Sequence, residues 1–393
     1  MRTLLAAKSL WNGTSLLDDP VVVIEDGRIA SIASRSASEI PAEAQVLDYP
    51  GATLAPAFLD VHIHGAAGHD VMEATPEALN AICGFLAAHG TGSFLPTTVT
   101  APLETTLRSV SALARLIENP RLIQGKSGRP LARPLGIHLE GPFLSRKKCG
   151  VQPVEHLLAP DIATFDRLFE AAEGKVRLMT LAPELPGAAE LTAHATARGV
   201  RISMGHSNAV AAETRAVIAA GAVSATHTFN AMRPLDHREP GILGTVLTSD
   251  SLFAEIICDG IHNAPELVKL WFRAKGPGRA ILVTDAMSAA GMPDGEYQLG
   301  GFPVQVANGK AIANGVLAGS VLTLDRALVN FVRFTGAPLE QALRLLTTNP
   351  ATMTGLSVQA GSLKVGQPAN LVAVNTAGRL LASIQNGQIA TSL

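Results

Sequence analysis

Residues 54–64 read LAPAFLDVHIH, an apolar run that ends on two histidines spaced two apart. Successive side chains of an extended strand point to opposite faces, so His62 and His64 face the same way at its C-terminal end. Runs of the same type, β-prone and closed by a polar residue, recur seven times: GSFLPTTVT (92–100), PLGIHLEG (134–141), VRLMTLAPE (176–184), RISMGHS (201–207), VSATHTFN (223–230), FAEIICDG (253–260) and AILVTDAM (280–287). Between them lie stretches such as PEALNAICGFLAAHG (76–90) and LETTLRSVSALARLIEN (103–119), whose apolar residues fall three and four apart as on amphipathic helices. Eight alternating units predict an α/β fold, a TIM-type (β/α)8 barrel with parallel strands and its chemistry at their C-terminal ends.

The chain ends read differently. VVVIEDGRIASIA (21–33) is two β-rich runs joined at Asp26-Gly27, a pair suited to a tight hairpin because both residues tolerate positive φ. NLVAV (370–374) and LLASIQNGQIA (380–390), with a turn at Asn386-Gly387, repeat that style at the far end. Neither end has enough apolar residues to hold a core alone, so the two are expected to pair as one small split β-sandwich domain, residues 1–54 plus 355–393. The barrel then takes 55–354, with a β insertion near 300–319 signalled by Asn308-Gly309.

Composition narrows the function. Hydrophobic residues make up 47% of the 393 and charged residues 16%, which suits a large core. With 31 Lys plus Arg against 33 Asp plus Glu, no basic excess exists to hold nucleic acid or an anionic membrane. The opening MRTLLAAKSLW is interrupted at Lys8, too soon for a signal-peptide core, and no apolar run reaches the length of a membrane span. Cys83, Cys149 and Cys258 are too few and scattered for a disulfide framework, so a cytoplasmic location is expected.

The polar residues at the strand ends carry the chemistry. His62 and His64 can share a divalent metal, although a His-x-His pair also arises by chance in a strand. Glu140 ends the third run, His206 the fifth and His227 the sixth, beside small or turn residues that leave them accessible. One carboxylate and two imidazoles form a donor set that leaves a position open for water. Asp285 closes the eighth run, placed to take a proton from that water and return it to a leaving amine; capping the next helix and binding a second metal are its rival roles. After the sixth and seventh runs come Asn230, Ala231, Arg238 and His262. The fork of Arg238 suits a phosphate, or else it is a solvated cation within Asp236-His237-Arg238-Glu239. His69, His89, His156, His194 and His237 read as surface or packing residues.

Taken together, DVHIHG (60–65), HLEGPF (138–143), GHS (205–207), THTFNAMRPLDHREPG (226–241), DGIH (259–262), VTDAM (283–287) and LAGS (317–320) resemble the N-acetylglucosamine-6-phosphate deacetylases of the amidohydrolase superfamily. The resemblance implies a metal-dependent hydrolase that removes acetyl from an amino sugar phosphate. It implies that Glu140, His206 and His227 hold the principal divalent metal (Zn, Fe, Mn, Co or Ni) and that His62 and His64 permit a second. It makes Asp285 the general base and acid, and Val151, Asn230, Ala231, Arg238, His262 and Leu317 contacts of the sugar phosphate. Arg238 in this family can be reached from the neighbouring subunit, which implies a homodimer. Two departures stand out. Gln152 occupies the place of a histidine, where its amide can bond a sugar hydroxyl but adds no positive charge. Asn370 stands where an aspartate is usual, with a structural effect expected.

Two other readings share parts of this pattern. A cyclic-amide hydrolase of dihydroorotase or hydantoinase type would bridge two metals with a carboxylated lysine ending strand four, where this chain has Thr180-Leu181-Ala182-Pro183-Glu184 and keeps Lys175 at the start. A barrel retained as a non-catalytic sugar-phosphate binder is disfavoured by the intact ligand set and Asp285.

Overall fold

A computed structural model describes residues 2–37, 45–124 and 128–392, so residues 1, 38–44, 125–127 and 393, some of them within the expected terminal domain, lie outside the described residues. At its centre is a ring of eight strands: β1 (Phe58–Ile63), β2 (Thr91–Thr98), β3 (Ile137–Glu140), β4 (Val176–Leu181), β5 (Arg201–Met204), β6 (Ser224–Ala225), β7 (Phe253–Ile257) and β8 (Ala280–Val283). Each pairs in parallel with the next. The seam between β8 and β1 closes just past the strand ends: Asp285 N donates to His62 O at 2.9 Å and His64 N to Ala286 O at 2.7 Å. Every residue of β1, β2, β7 and β8 is buried, as expected of strands covered by helices outside and filled inside. The helix Leu103–Glu118 shows how that cover is built, burying Thr106, Ser109, Val110, Leu113 and Ala114 on one stripe.

Each of the eight apolar runs contributes one strand of the ring, with two adjustments. The first run divides: residues up to Pro56 finish a separate strand, Gln45–Pro56, and β1 starts at Phe58. Proline has no N–H to continue the ladder, and the chain changes sheets there. The sixth run keeps only Ser224–Ala225 as strand, because the backbone then turns through positive φ at His227 (28°), Phe229 (82°) and Ala231 (50°).

The chain ends meet in a second, eight-stranded sheet, where Gln45–Pro56 lies antiparallel to Leu371–Val374 and joins the N-terminal strands to the C-terminal ones. Asp26 and Gly27 (φ 48° and 76°) and Asn386 and Gly387 (φ 49° and 75°) make its two-residue turns, the mirror-image type whose twist matches the strands. Leu5, Leu10, Val22, Leu54, Leu371 and Ile384 form its separate core. After β8, four short strands from Gly295 to Leu317 form an antiparallel sheet that brings Leu299 and Leu317 to the mouth of the barrel. Among the described residues no helix is long and apolar enough to cross a membrane.

Gly205 shows how tightly this mouth is built. A Cβ there would lie 2.7 Å from Thr226 Cβ and 3.0 Å from Thr180 Cγ2, both on neighbouring buried strand ends. Gly205→Val is expected to destabilise the fold by about 1–3 kcal/mol, read as a lower denaturant midpoint at unchanged slope.

Candidate active site

Five side chains from four strand ends converge at the C-terminal mouth. Glu140 Oε1 lies 3.2 Å from His206 Nε2, 3.1 Å from His227 Nε2 and 3.3 Å from His62 Nε2, and Glu140 Oε2 lies 3.4 Å from His64 Nε2. The imidazole nitrogens also face one another, His206 Nε2 and His227 Nε2 at 3.1 Å, His62 Nε2 and His64 Nε2 at 3.3 Å. Asp285 Oδ1 stands 3.1 Å from His64 Nε2 and 3.5 Å from His62 Nε2. His206, His227 and Asp285 hold positive φ (45°, 28° and 50°), a conformation that costs a side-chain-bearing residue about 1–3 kcal/mol and that persists where the surroundings over-determine it.

The donor chemistry fits a divalent cation. His64 Nδ1 lies 3.0 Å from Thr97 O and His206 Nδ1 3.0 Å from Lys148 O. A carbonyl can only accept, so Nδ1 carries the proton in both rings and Nε2 presents its lone pair inward. Lone pairs facing each other at such distances repel unless positive charge lies between them. Two groups of three bring their donor atoms within 4.8 Å of one another around the shared carboxylate, Glu140 with His206 and His227, and Glu140 with His62 and His64; Asp285 joins His62 and His227 in a third.

Electrostatics point the same way. Burial opposes charge on His62 and His64, yet Glu140 and Asp285 outweigh it, so both imidazoles hold protons more tightly than usual, His64 up to about 9. Burial also opposes charge on Glu140, but His62 and His206 keep it well below the usual carboxylate range, and against the same penalty His62, His64 and His227 bring Asp285 down to about 2. The mouth is a place where positive charge is strongly favoured.

Above the cluster opens a cavity of about 260 Å³, bordered by His64, Glu140, His206, His227 and Asp285 below and by Val151, Gln152, Asn230, Ala231, His262 and Leu317 around it. His62 belongs to the cluster but is wholly buried and does not border the cavity. One group expected from the sequence lies elsewhere: Arg238 sits exposed on its loop outside the cavity, its backbone N–H bonded to Asp236 Oδ1 at 2.8 Å. His262 Nδ1 is 2.7 Å from Asp259 Oδ2. Although burial resists its protonation, that aspartate raises its pKa, which suits a donor to an anionic ligand.

The amidohydrolase family model matches residues 53–390. The chain belongs to the amidohydrolase family. This amidohydrolase is 38% identical over 392 residues to the N-acetylgalactosamine-6-phosphate deacetylase of Escherichia coli O157:H7, covering 100% of both chains. It is 36% identical to the N-acetylglucosamine-6-phosphate deacetylase of Bacillus subtilis, covering 94% of this chain and 92% of that one. Among solved structures, a variant of N-acetyl-D-glucosamine-6-phosphate deacetylase from Mycobacterium smegmatis, in complex with N-acetyl-D-glucosamine-6-phosphate, superimposes with a TM-score of 0.90 at 35% identity over 100% of both chains.

Within this amidohydrolase, Gln152 does something the sequence did not suggest. Its Nε2 donates to Glu140 Oε2 at 2.7 Å and its Oε1 accepts from Thr100 N at 2.8 Å, so the amide ties the central carboxylate to the loop after β2. Three further buried groups went unread. Asp60 Oδ2 accepts from Thr284 Oγ1 at 2.6 Å across the β1–β8 seam. His138 lies 2.8 Å from Thr180 Oγ1 beneath the cluster, where burial and the neighbouring imidazoles keep its pKa well below the usual histidine range. Glu255 Oε2 lies 3.4 Å from His62 Nδ1. The signal for Asp60 and Glu255 was present as a lone acid inside an apolar strand, FLDVHI and FAEII.

Proposed function

We propose that this protein hydrolyses the acetamide of N-acetylglucosamine 6-phosphate, releasing glucosamine 6-phosphate and acetate. The observation that carries this reading is the meeting of Glu140, His206, His227 and Asp285 at the floor of one cavity of about 260 Å³, roomy enough to take an acetamido group and part of a sugar. Full-length similarity to deacetylases of amino sugar phosphates supports it. A cyclic-amide hydrolase bridged by a carboxylated lysine is not favoured, because Lys175 precedes β4 at the far end of the barrel and pairs with Glu118.

Glu140, His206 and His227 would hold the divalent cation, with His62 and His64 offering a place for a second. Bound there, the cation supplies Lewis acidity, which polarises the amide carbonyl and lowers the pKa of water beside it. Asp285 removes a proton from the attacking water as the new C–O bond forms, and returns it to the nitrogen as the C–N bond breaks. Asn230, Ala231, Val151 and Leu317 shape the cavity around the sugar, and His262, oriented by Asp259, donates a hydrogen bond to the substrate. Zn, Fe, Mn, Co and Ni all suit these ligands, and a cytoplasmic enzyme would be loaded by availability.

Arg238 would read the phosphate from the neighbouring subunit of a homodimer. Its loop borders a groove of about 840 Å³ lined by Leu235, Pro240 and Leu247, and Leu235 is 56% exposed there. Arg238→Ala is expected to raise KM for the phosphorylated sugar at least tenfold with little change in kcat, the cost of losing one charge-assisted contact. An equal effect on unphosphorylated N-acetylglucosamine would remove the phosphate role. The reading as a whole is tested by incubating the metal-loaded protein with N-acetylglucosamine 6-phosphate, its galactosamine epimer and the unphosphorylated sugar, and following acetate. No acetate from either phosphate overturns it. The epimer belongs in the assay because the Escherichia coli relative is named for it.

A further inference from the structure

Glu255 is a carboxylate in the middle of β7, where Phe253 and Ile257 share its face, and it is 0% exposed. Among the described residues no lysine or arginine pairs with it; its ionic contact is His62, with Oε2 3.4 Å from Nδ1. The same oxygen lies 3.4 Å from His227 N, so one side chain touches residues of both halves of the cluster. Its other oxygen, Oε1, and the buried Nδ1 of His227 have no hydrogen-bond partner. An isolated buried carboxylate is costly, and a hydrophobic residue would fill this strand position more cheaply unless the charge has a task.

The task follows from comparing the imidazoles. His64 and His206 have their Nδ1 protons fixed by backbone carbonyls, Thr97 O and Lys148 O. His62 is aligned by a side chain instead. A carboxylate accepting the Nδ1 proton fixes the tautomer and makes the ring a stronger donor at Nε2, the atom that faces His64 Nε2 and Glu140 Oε1, each at 3.3 Å. We propose that Glu255 is a positioning residue: by accepting the Nδ1–H of His62 it turns the opposite lone pair toward the space shared with the His64 and Glu140 donors, and so decides whether a cation is retained at the first strand. The inference rests on the metal-site reading above. It concerns the site of His62, His64 and Glu140 only, and leaves the one of Glu140, His206 and His227 largely unaffected.

The test is a metal count. Chelator-stripped wild type, Glu255→Gln and Glu255→Leu are titrated with Zn²⁺ by calorimetry, and the ions retained after desalting are measured by mass spectrometry. Wild type is expected to retain two ions per chain. Glu255→Leu should retain one, with first-strand affinity reduced 10–100-fold, the usual consequence of removing a partner that orients a ligand. Glu255→Gln, which keeps an acceptor oxygen but loses the charge, should fall between them. If the leucine variant does not fold, the isosteric glutamine variant decides alone, its circular dichroism confirming an intact barrel. Equal ion content and affinity in wild type and variants would overturn the role of Glu255, as would a wild type that holds a single ion. A wild type that holds none overturns the metal-site reading, and this inference with it.

Discussion

Asp285→Asn is expected to lower kcat by roughly two to four orders of magnitude, the range associated with a positioned proton-transfer group, while the protein keeps its metal and its fold. Asparagine matches aspartate in shape but cannot accept a proton. The wild-type carboxyl, drawn down to about 2 by His62, His64 and His227 against the penalty of burial, is an anion across the whole working range. Because Asp285 also stands with His62 and His227 as a possible ligand group, metal content must be measured on the same sample. Turnover near wild type would sink the assignment as base. Lost turnover together with lost metal would make Asp285 a ligand first.

Glu140→Gln is expected to have the wider effect, because this carboxylate touches all four imidazoles of the cluster. The amide keeps the volume and removes the central negative charge, leaving the four nitrogen donors with only Asp285 beside them to offset a cation's desolvation. Bound metal should fall at both groups together. Deacetylation should drop by about three orders of magnitude, in line with the several kcal/mol that metal ions contribute to transition-state stabilisation. Treating the wild type with a chelator should reproduce the loss, and returning the ion should reverse it in the wild type and fail to do so in the variant. An active, metal-free Glu140→Gln would refute the whole site.

The ring was legible because parallel strands buried on both faces must be apolar along their length, so each interruption by His, Glu or Asp at a C-terminal end stood out. Hence Glu140, His206, His227, His62, His64 and Asp285 stand out in the sequence, and the fold brings their donor atoms together. The quieter polar residues were not. Glu255 interrupts its strand just as visibly, but its partner His62 is 193 positions away, and no local pattern joins them. Gln152 lies only 12 residues from Glu140, yet the intervening loop has no period from which its path could be read, and its amide reaches the carboxylate that the sequence reserved for a metal. The length of β6 was overestimated for a related reason. VSATHTFN has strand composition, and the left-handed turns at His227 and Phe229 are imposed by the ring around them against local preference.

The seam of the barrel links shape to chemistry. Asp285 and His62, a carboxylate and an imidazole of the clustered mouth, also share the 2.9 Å amide-to-carbonyl bond that fastens the last strand to the first. Their side chains therefore cannot drift apart while the cylinder is shut, and any breathing of that joint would scatter the reactive groups at the same moment. Substitutions that loosen that latch should therefore erode durability and turnover in step, unlike Asp285→Asn, which leaves the amide-to-carbonyl bond in place and changes the carboxylate alone.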